Sequence, residues 1–231
     1  MHPSAIVLAA GEGRRIGGAT PKAFLPIAGR PLVLRALERV FSARRVVDVV
    51  VVVAASELER CRGLLSADGI LRDRPWRLAA GGKTRQESAR RGLQELFPET
   101  DIVLIHDAAR PLASPGLIDR SIEAAVEKGA VVVGLPARDT IKVVSEDRRV
   151  QTTLERRSLW EIQTPQVFRR ELIAAAHERA QKDGIEATDD AMVVERMGTP
   201  VFVIEGERTN FKITWPEDLW LAELLIREGR V

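Results

Sequence analysis

A single cysteine, Cys61, leaves this chain of 231 residues without an internal disulfide or a thiolate metal cluster. That economy suits a reducing compartment and points to the cytoplasm; Cys61 itself reads as a packing or surface residue. Long apolar runs are lacking as well. No stretch approaches the ~18 unbroken apolar residues of a membrane helix, which excludes a membrane span. Nor is there an excess of one charge: 35 Lys and Arg against 33 Asp and Glu leave a formal +2. The basic residues are spread along the chain, so the electrostatic footprint of a nucleic-acid binder is absent, and a small anion is a better partner than a polyanion. Lysine is scarce, with only Lys22, Lys83, Lys128, Lys142, Lys182 and Lys212 beside 29 arginines. The few lysines are therefore worth locating.

Length allows one large domain. The chain opens on an apolar run that no basic residue precedes and that charged Glu12, Arg14 and Arg15 follow, the layout of a strand rather than of a signal peptide. Further apolar, β-rich runs lie at Val46 to Ala55, Ile102 to His106 and Ala130 to Leu135. Continuous rather than alternating hydrophobicity predicts strands covered on both faces, hence a parallel sheet. Helical patterns intervene at Pro31 to Ala43, Glu57 to Ser66 and Ser114 to Lys128, the last with Ser114 as cap and Pro115 in its first turn. A final helix follows Pro216, opened by Glu217 and Asp218. The expected fold is an α/β, Rossmann-like, mostly parallel sheet with helices on both faces and ligands at the carboxyl ends of its strands. Between Asp139 and Leu154, TIKVV and VQTTL flank a turn-rich linker and read as a β-hairpin. A hairpin is weakly stable alone, so this one packs either on its own domain or on a second subunit.

Two constellations carry chemistry. Gly11, Gly13, Gly17 and Gly18 follow the first strand, with Arg14, Arg15 and Lys22 among them. The dinucleotide fingerprint fails by one residue, because Ile16 stands where its third glycine belongs, and the ATPase loop fails at Gly82-Lys83-Thr84 because Arg77 occupies its first glycine position. A surface turn would explain the glycines but not three cations converging on one strand end. The second constellation is IVLIHDAARP, residues 102–111, where a buried strand ends in His106 and Asp107 before two small residues. An acid so placed serves a divalent cation or a ribose. His106, alone on an apolar strand, reads as a satisfied core histidine.

Together with Gly81-Gly82, Arg85 and Ser88, with Asp139-Thr140, Thr164-Pro165-Gln166 and Thr188-Asp189-Asp190, and with Asn210-Phe211-Lys212-Ile213-Thr214, these motifs resemble the 2-C-methyl-D-erythritol 4-phosphate cytidylyltransferase family over nearly the whole chain. The resemblance implies a fold of the nucleotide-diphospho-sugar transferase type, one domain over 1–231, and residues 137–157 as a protruding β-arm for dimerisation. It implies transfer of CMP from CTP to the 4-phosphate of methylerythritol phosphate, with release of pyrophosphate, in the non-mevalonate route to isoprenoid precursors. By resemblance Arg15 and Lys22 stabilise the α-phosphate, while Lys212 and Arg156, the latter from a neighbouring subunit, position the attacking phosphate. Ala9, Ala10, Gly11, Gly13, Gly82, Ser88, Asp107 and Ala108 hold the nucleotide; Ala10, Gly82 and Ser88 read its base. Asp107 meets the ribose or Mg²⁺, an ion held mainly by the phosphates. Arg110, Asp139, Thr140, Thr164 and Thr188 line the sugar phosphate.

The chemistry agrees with that assignment. A phosphate monoester has a second pKa near 6, so it is already an anion at neutral pH and needs no general base. Fixed cations are what the reaction requires, since negative charge accumulates on the α-phosphoryl oxygens. Rival readings are a ribitol 5-phosphate cytidylyltransferase, which differs in its acceptor pocket, and a CTP-binding module without catalysis.

Overall fold

The structure is a computed structural model that describes residues 1–11, 13, 16–17 and 20–231. Its first strand, β1 (Pro3–Leu8), is buried at every residue. Alternate side chains serve two cores: Ala5 and Val7 join one hydrophobic cluster, and Ile6 joins the other with Leu8. A short two-stranded ladder, β2 (Pro26–Ile27) and β3 (Arg30–Pro31), leads into α1 (Leu32–Ser42), which buries seven residues on one face. Then come β4 (Asp48–Val53), α2 (Leu58–Ala67), β5 (Trp76–Ala80) and α3 (Arg85–Gln94). Close approach of α3 to the sheet depends on Gly92, where a Cβ would stand 2.5 Å from Ile6 Cγ2.

After β6 (Ile102–Asp107) the chain forms α4 (Pro115–Lys128) and β7 (Ala130–Pro136). The expected cap is present: Ser114 Oγ accepts from the Leu117 amide. The helix stops at Gly129, whose φ of +84° suits a residue without a side chain. The predicted hairpin follows as β8 (Lys142–Val144) and β9 (Val150–Thr153), paired antiparallel. Lys142 donates to Thr153 Oγ1 across it at 2.7 Å. The arm stands off its own domain, with Val144 49% and Val150 60% exposed.

Next is β10 (Trp160–Arg169), a strand that the apolar-run reading does not foresee, because Glu161, Gln163 and Thr164 interrupt its hydrophobicity. It is followed by α5 (Arg170–Lys182), α6 (Asp190–Glu195), β11 (Phe202–Glu205) and α7 (Pro216–Arg227). The main sheet has the order β11-β7-β10-β6-β1-β4-β5. Its pairings are parallel except those of β10, which runs antiparallel to both β6 and β7. The expected mostly parallel sheet is thus present, with one reversed member. Helices α1, α2, α4 and α7 contribute to the cluster on one face, and α3, α5 and α6 to that on the other. Among the described residues no helix is long and apolar enough to cross a membrane.

Candidate active site

The parallel strands deliver their carboxyl ends to one cavity of about 820 Å³. The loop after β1 supplies Ala9, Ala10, Gly11, Gly13 and Lys22; the β5 loop and the start of α3 supply Gly82, Lys83, Thr84, Arg85 and Ser88. Asp107 and Ala108 enter from the end of β6, and Lys212 and Thr214 from the C-terminal quarter. Two of the cations predicted to meet around one phosphorus, Lys22 and Lys212, therefore line the same space. Lys22 opens a single 3₁₀ turn pinned by buried Ala23 and Phe24. Gly13 makes room for it: at φ +66° a Cβ there would overlap the Lys22 Cβ. Arg15 lies outside the described residues.

Cavity electrostatics are set by a chain of charges. Lys212 Nζ donates to Asp107 Oδ2 at 2.7 Å, and Arg85 Nε donates to Asp107 Oδ1 at 3.0 Å. The far side of Arg85, Nη1, donates to Asp190 Oδ2 at 2.7 Å. Asp190 Oδ1 in turn stands 3.1 Å from His177 Nε2. Burial alone would raise the Asp107 carboxyl, but Arg85 and Lys212 outweigh it and hold the group well below the usual carboxylate range. Asp190 is likewise lowered, burial being overcome by Arg85 and then by the His177 contact. Burial works against the charge on Arg85, and Asp190 with Asp107 more than compensates, so its guanidinium is held protonated.

Several predicted site residues hold this arrangement from outside the cavity. Thr164 is buried, and its hydroxyl accepts from the Asp107 amide at 3.0 Å. Arg110 donates to Asn210 O at 2.7 Å and to Ile162 O at 3.4 Å, tying β10 to the segment that carries Lys212. Asn210 donates to Thr164 O and to Gln163 Oε1, both at 2.9 Å. Gln166 accepts from the Asp190 and Ala191 amides and donates to Asp189, and so fixes the turn that aims Asp190 at Arg85. Thr188 is exposed, its hydroxyl directed to Met192 Sδ at 3.9 Å. Asp139, Thr140 and Arg156 sit exposed on the arm; Arg156 donates to Arg138 O. Of the predicted acceptor-side residues and Arg156, none lines the cavity.

His106 is the satisfied core histidine expected. Its Nε2 lies 3.0 Å from Arg110 O and its Nδ1 3.1 Å from Thr164 Oγ1. Burial pushes its pKa down from 6.5 to about 4, against the backbone contact to Arg110, which favours the proton. As pH falls, the unfolded chain takes up this proton near 6.5 and the folded chain only near 4. Stability is therefore fully present above pH 6.5 and falls between 6.5 and 4 by up to about 1.4 kcal/mol per pH unit. In urea titrations across this window, His106→Gln is expected to flatten the decline; an unchanged slope would assign it to other groups.

Among the described residues, no three His, Cys, Asp or Glu side chains cluster to hold a metal. Asp107 is the single carboxylate among the described lining residues. That donor set fits an ion held mainly by phosphates and touched by one acid, as magnesium prefers; it does not fit a metal caged by protein.

A family model described as IspD, 2-C-methyl-D-erythritol 4-phosphate cytidylyltransferase, matches residues 4–228. The chain belongs to this family. It is 40% identical to the 2-C-methyl-D-erythritol 4-phosphate cytidylyltransferase of Caldanaerobacter subterraneus, an alignment covering 99% of this chain and all of that one. Identity to the chloroplastic cytidylyltransferase of Oryza sativa is 39%, over 97% of this chain and 74% of the relative. Among solved structures, 4-diphosphocytidyl-2C-methyl-D-erythritol synthase from Anaerococcus prevotii superposes with a TM-score of 0.86 at 31% identity, covering 98% of both chains. The cytidylyltransferase of Thermus thermophilus gives 0.80 at 36% identity, over 98% of this chain and all of the other. The fold is that of the cytidylyltransferases, and the chain is a nucleotidyltransferase of isoprenoid precursor synthesis. Within this cytidylyltransferase, Arg85 is the residue whose place sequence reasoning missed. It stands in one of the motifs that carry the family resemblance, but its partners are 22 and 105 residues away in the chain.

Proposed function

We propose that the cavity binds CTP and that its lysines drive the attack of the 4-phosphate of 2-C-methyl-D-erythritol 4-phosphate on the α-phosphorus. A 4-phosphate oxygen bonds to that phosphorus, the bond to the β-phosphate breaks, and pyrophosphate leaves. The observation that carries this reading is the meeting of Lys22 and Lys212 at one cavity with the two small-residue loops and Asp107. Lys22, with Arg15, meets the charge that builds on the α-phosphoryl oxygens; preorganised cations stabilise such a transition state more than its ground state. Lys212 steers the attacking phosphate. No residue removes a proton, since the nucleophile is already ionised and His106 is neutral, buried and engaged with protein at both ring nitrogens.

Ala10, Gly82 and Ser88 read the base, while Ala9, Gly11, Gly13 and Ala108 let the nucleotide approach the backbone. Asp107 takes a ribose hydroxyl or Mg²⁺, which when bound with the triphosphate supplies further charge neutralisation. On the resemblance alone, Arg110, Asp139, Thr140, Thr164 and Thr188 form the acceptor side. The arm, residues 137–157, carries Arg156 to the site of a second copy in a cytoplasmic homodimer. In support, the arm's apolar side chains are exposed, and a lone hairpin has little stability of its own.

The test is pyrophosphate release from a nucleotide panel with methylerythritol phosphate and ribitol 5-phosphate as acceptors, run on the full chain and on a variant lacking residues 142–150. Turnover is expected with CTP and methylerythritol phosphate, and the deletion is expected to yield a monomer of much lower activity. Preference for ribitol 5-phosphate would overturn the acceptor assignment, and a fully active monomer would overturn the role of the arm.

A further inference from the structure

Three consecutive amides of the loop after β5 are committed to protein acceptors. The Gly81 N–H donates to Val53 O at 2.7 Å, that of Gly82 to Ser88 Oγ at 3.1 Å, and that of Lys83 to Glu87 Oε2 at 2.7 Å. The hydroxyl proton of Ser88 goes to Thr84 O at 2.9 Å. Glu87 is held in turn: Arg91 donates to its Oε1 at 2.6 Å and to Gly81 O at 2.9 Å.

Helix capping does not account for this geometry. Thr84 caps α3 in the ordinary way by accepting from the Glu87 amide at 3.0 Å. In a capping box the acid at the third helical position would return to the amide of the cap residue itself. Glu87 reaches one residue further upstream, to Lys83, and lies so close over the loop that a Cβ on Gly82 would overlap its side chain. The absence of a side chain at Gly82 is what admits the carboxylate there.

With these three amides spent, the backbone of residues 81–83 offers a ligand only carbonyl oxygens. A base presenting an amino group to it finds acceptors, whereas one presenting a carbonyl at the same place sets oxygen against oxygen. We propose that Glu87, fixed by Arg91, is a specificity-determining residue: by consuming the Lys83 amide while Ser88 consumes that of Gly82, it keeps the loop an acceptor and selects cytosine over uracil. The inference rests on the reading that the base lies against this loop, and it assigns to Glu87 and Arg91 a task separate from the chemistry of Lys22 and Lys212.

Equilibrium binding of CTP and of UTP to the full chain, by calorimetry without acceptor, tests it independently of turnover. Glu87→Ala frees the Lys83 amide and is expected to lower the preference for CTP over UTP about tenfold, the effect of one unpaired polar group at such a contact. Glu87→Gln, which retains an acceptor oxygen, is expected to keep most of the preference. Ser88→Ala frees the neighbouring amide without touching the Glu87 carboxylate and should shift the ratio in the same direction. Equal weakening of both nucleotides at an unchanged ratio in Glu87→Ala and Ser88→Ala would overturn the proposal, as would a wild-type chain that binds CTP and UTP alike. A wild type that prefers CTP but transfers no CMP would overturn the catalytic reading and leave this one standing.

Discussion

Alanine at Lys22 is expected to reduce kcat by about 10²–10³-fold, the range found when one preorganised donor is removed from a developing anion. The reason lies in when the charge is needed. CTP already carries its negative charge in the ground state, but the α-phosphoryl oxygens gain more as the acceptor adds, and an ammonium fixed at that point acts chiefly there. Binding of CTP should therefore weaken far less than turnover falls. Lys212→Ala is expected to lose a similar factor with a larger rise in KM for the acceptor, since that lysine steers the incoming phosphate. Lys22→Arg should not restore the rate, because a planar guanidinium fork does not substitute for a compact ammonium as a point charge. Pyrophosphate release, with the acceptor titrated to give KM for Lys212→Ala, measures all three; near-wild-type turnover of Lys22→Ala would remove that lysine from the catalytic role.

The largest effect on stability is expected at Arg85. Its guanidinium lies between the Asp107 and Asp190 carboxylates. Both acids are buried. Arg85→Met removes the cation and keeps the packing volume, leaving Asp190 with only the His177 contact and Asp107 with only Lys212; breaking a buried ion pair in this way costs about 3–5 kcal/mol. Arg85→Lys keeps the charge but cannot present two separate N–H directions, so it should recover only part. In urea unfolding, the pair Arg85→Met with Asp190→Asn should lose less than the sum of the single losses, because the second change removes one of the carboxylates that lost this partner. A loss below about 1 kcal/mol for Arg85→Met would mean that the network adds nothing beyond its desolvation cost.

What could be read from the sequence followed physical lines. Strands β1, β4, β6 and β7 are continuous apolar runs because each is covered on both faces, and their limits fall within a few residues of expectation. Strand β5 escaped because Arg77 polarises it, although the guanidinium lies 3.7 Å over the Phe97 ring. The glycine-rich loop, Asp107 and Lys22 are legible because chemistry at a strand end demands particular residue types, whereas Lys212 is legible only through the family resemblance. Thr164 and Arg110, proposed as ligand contacts, also have polar atoms that meet backbone groups of Asp107, Asn210 and Ile162. In sequence, a residue that braces a site looks the same as one that touches its ligand. Glu87 stands in none of the motifs read from the sequence; only the folded loop reveals which amide it takes.

One reversed strand decides where the arm can go. Pro136 at the end of β7 pairs with Trp160 at the start of β10, so the arm departs and returns at adjacent points, on the same edge as the ends of β1 and β6. Had β10 run with its neighbours, the intervening residues would have had to cross to the opposite pole before re-entering. Antiparallel insertion thus gives this chain an extension whose length can vary without disturbing the layers beneath it, while its root stays on the carboxyl edge of the sheet.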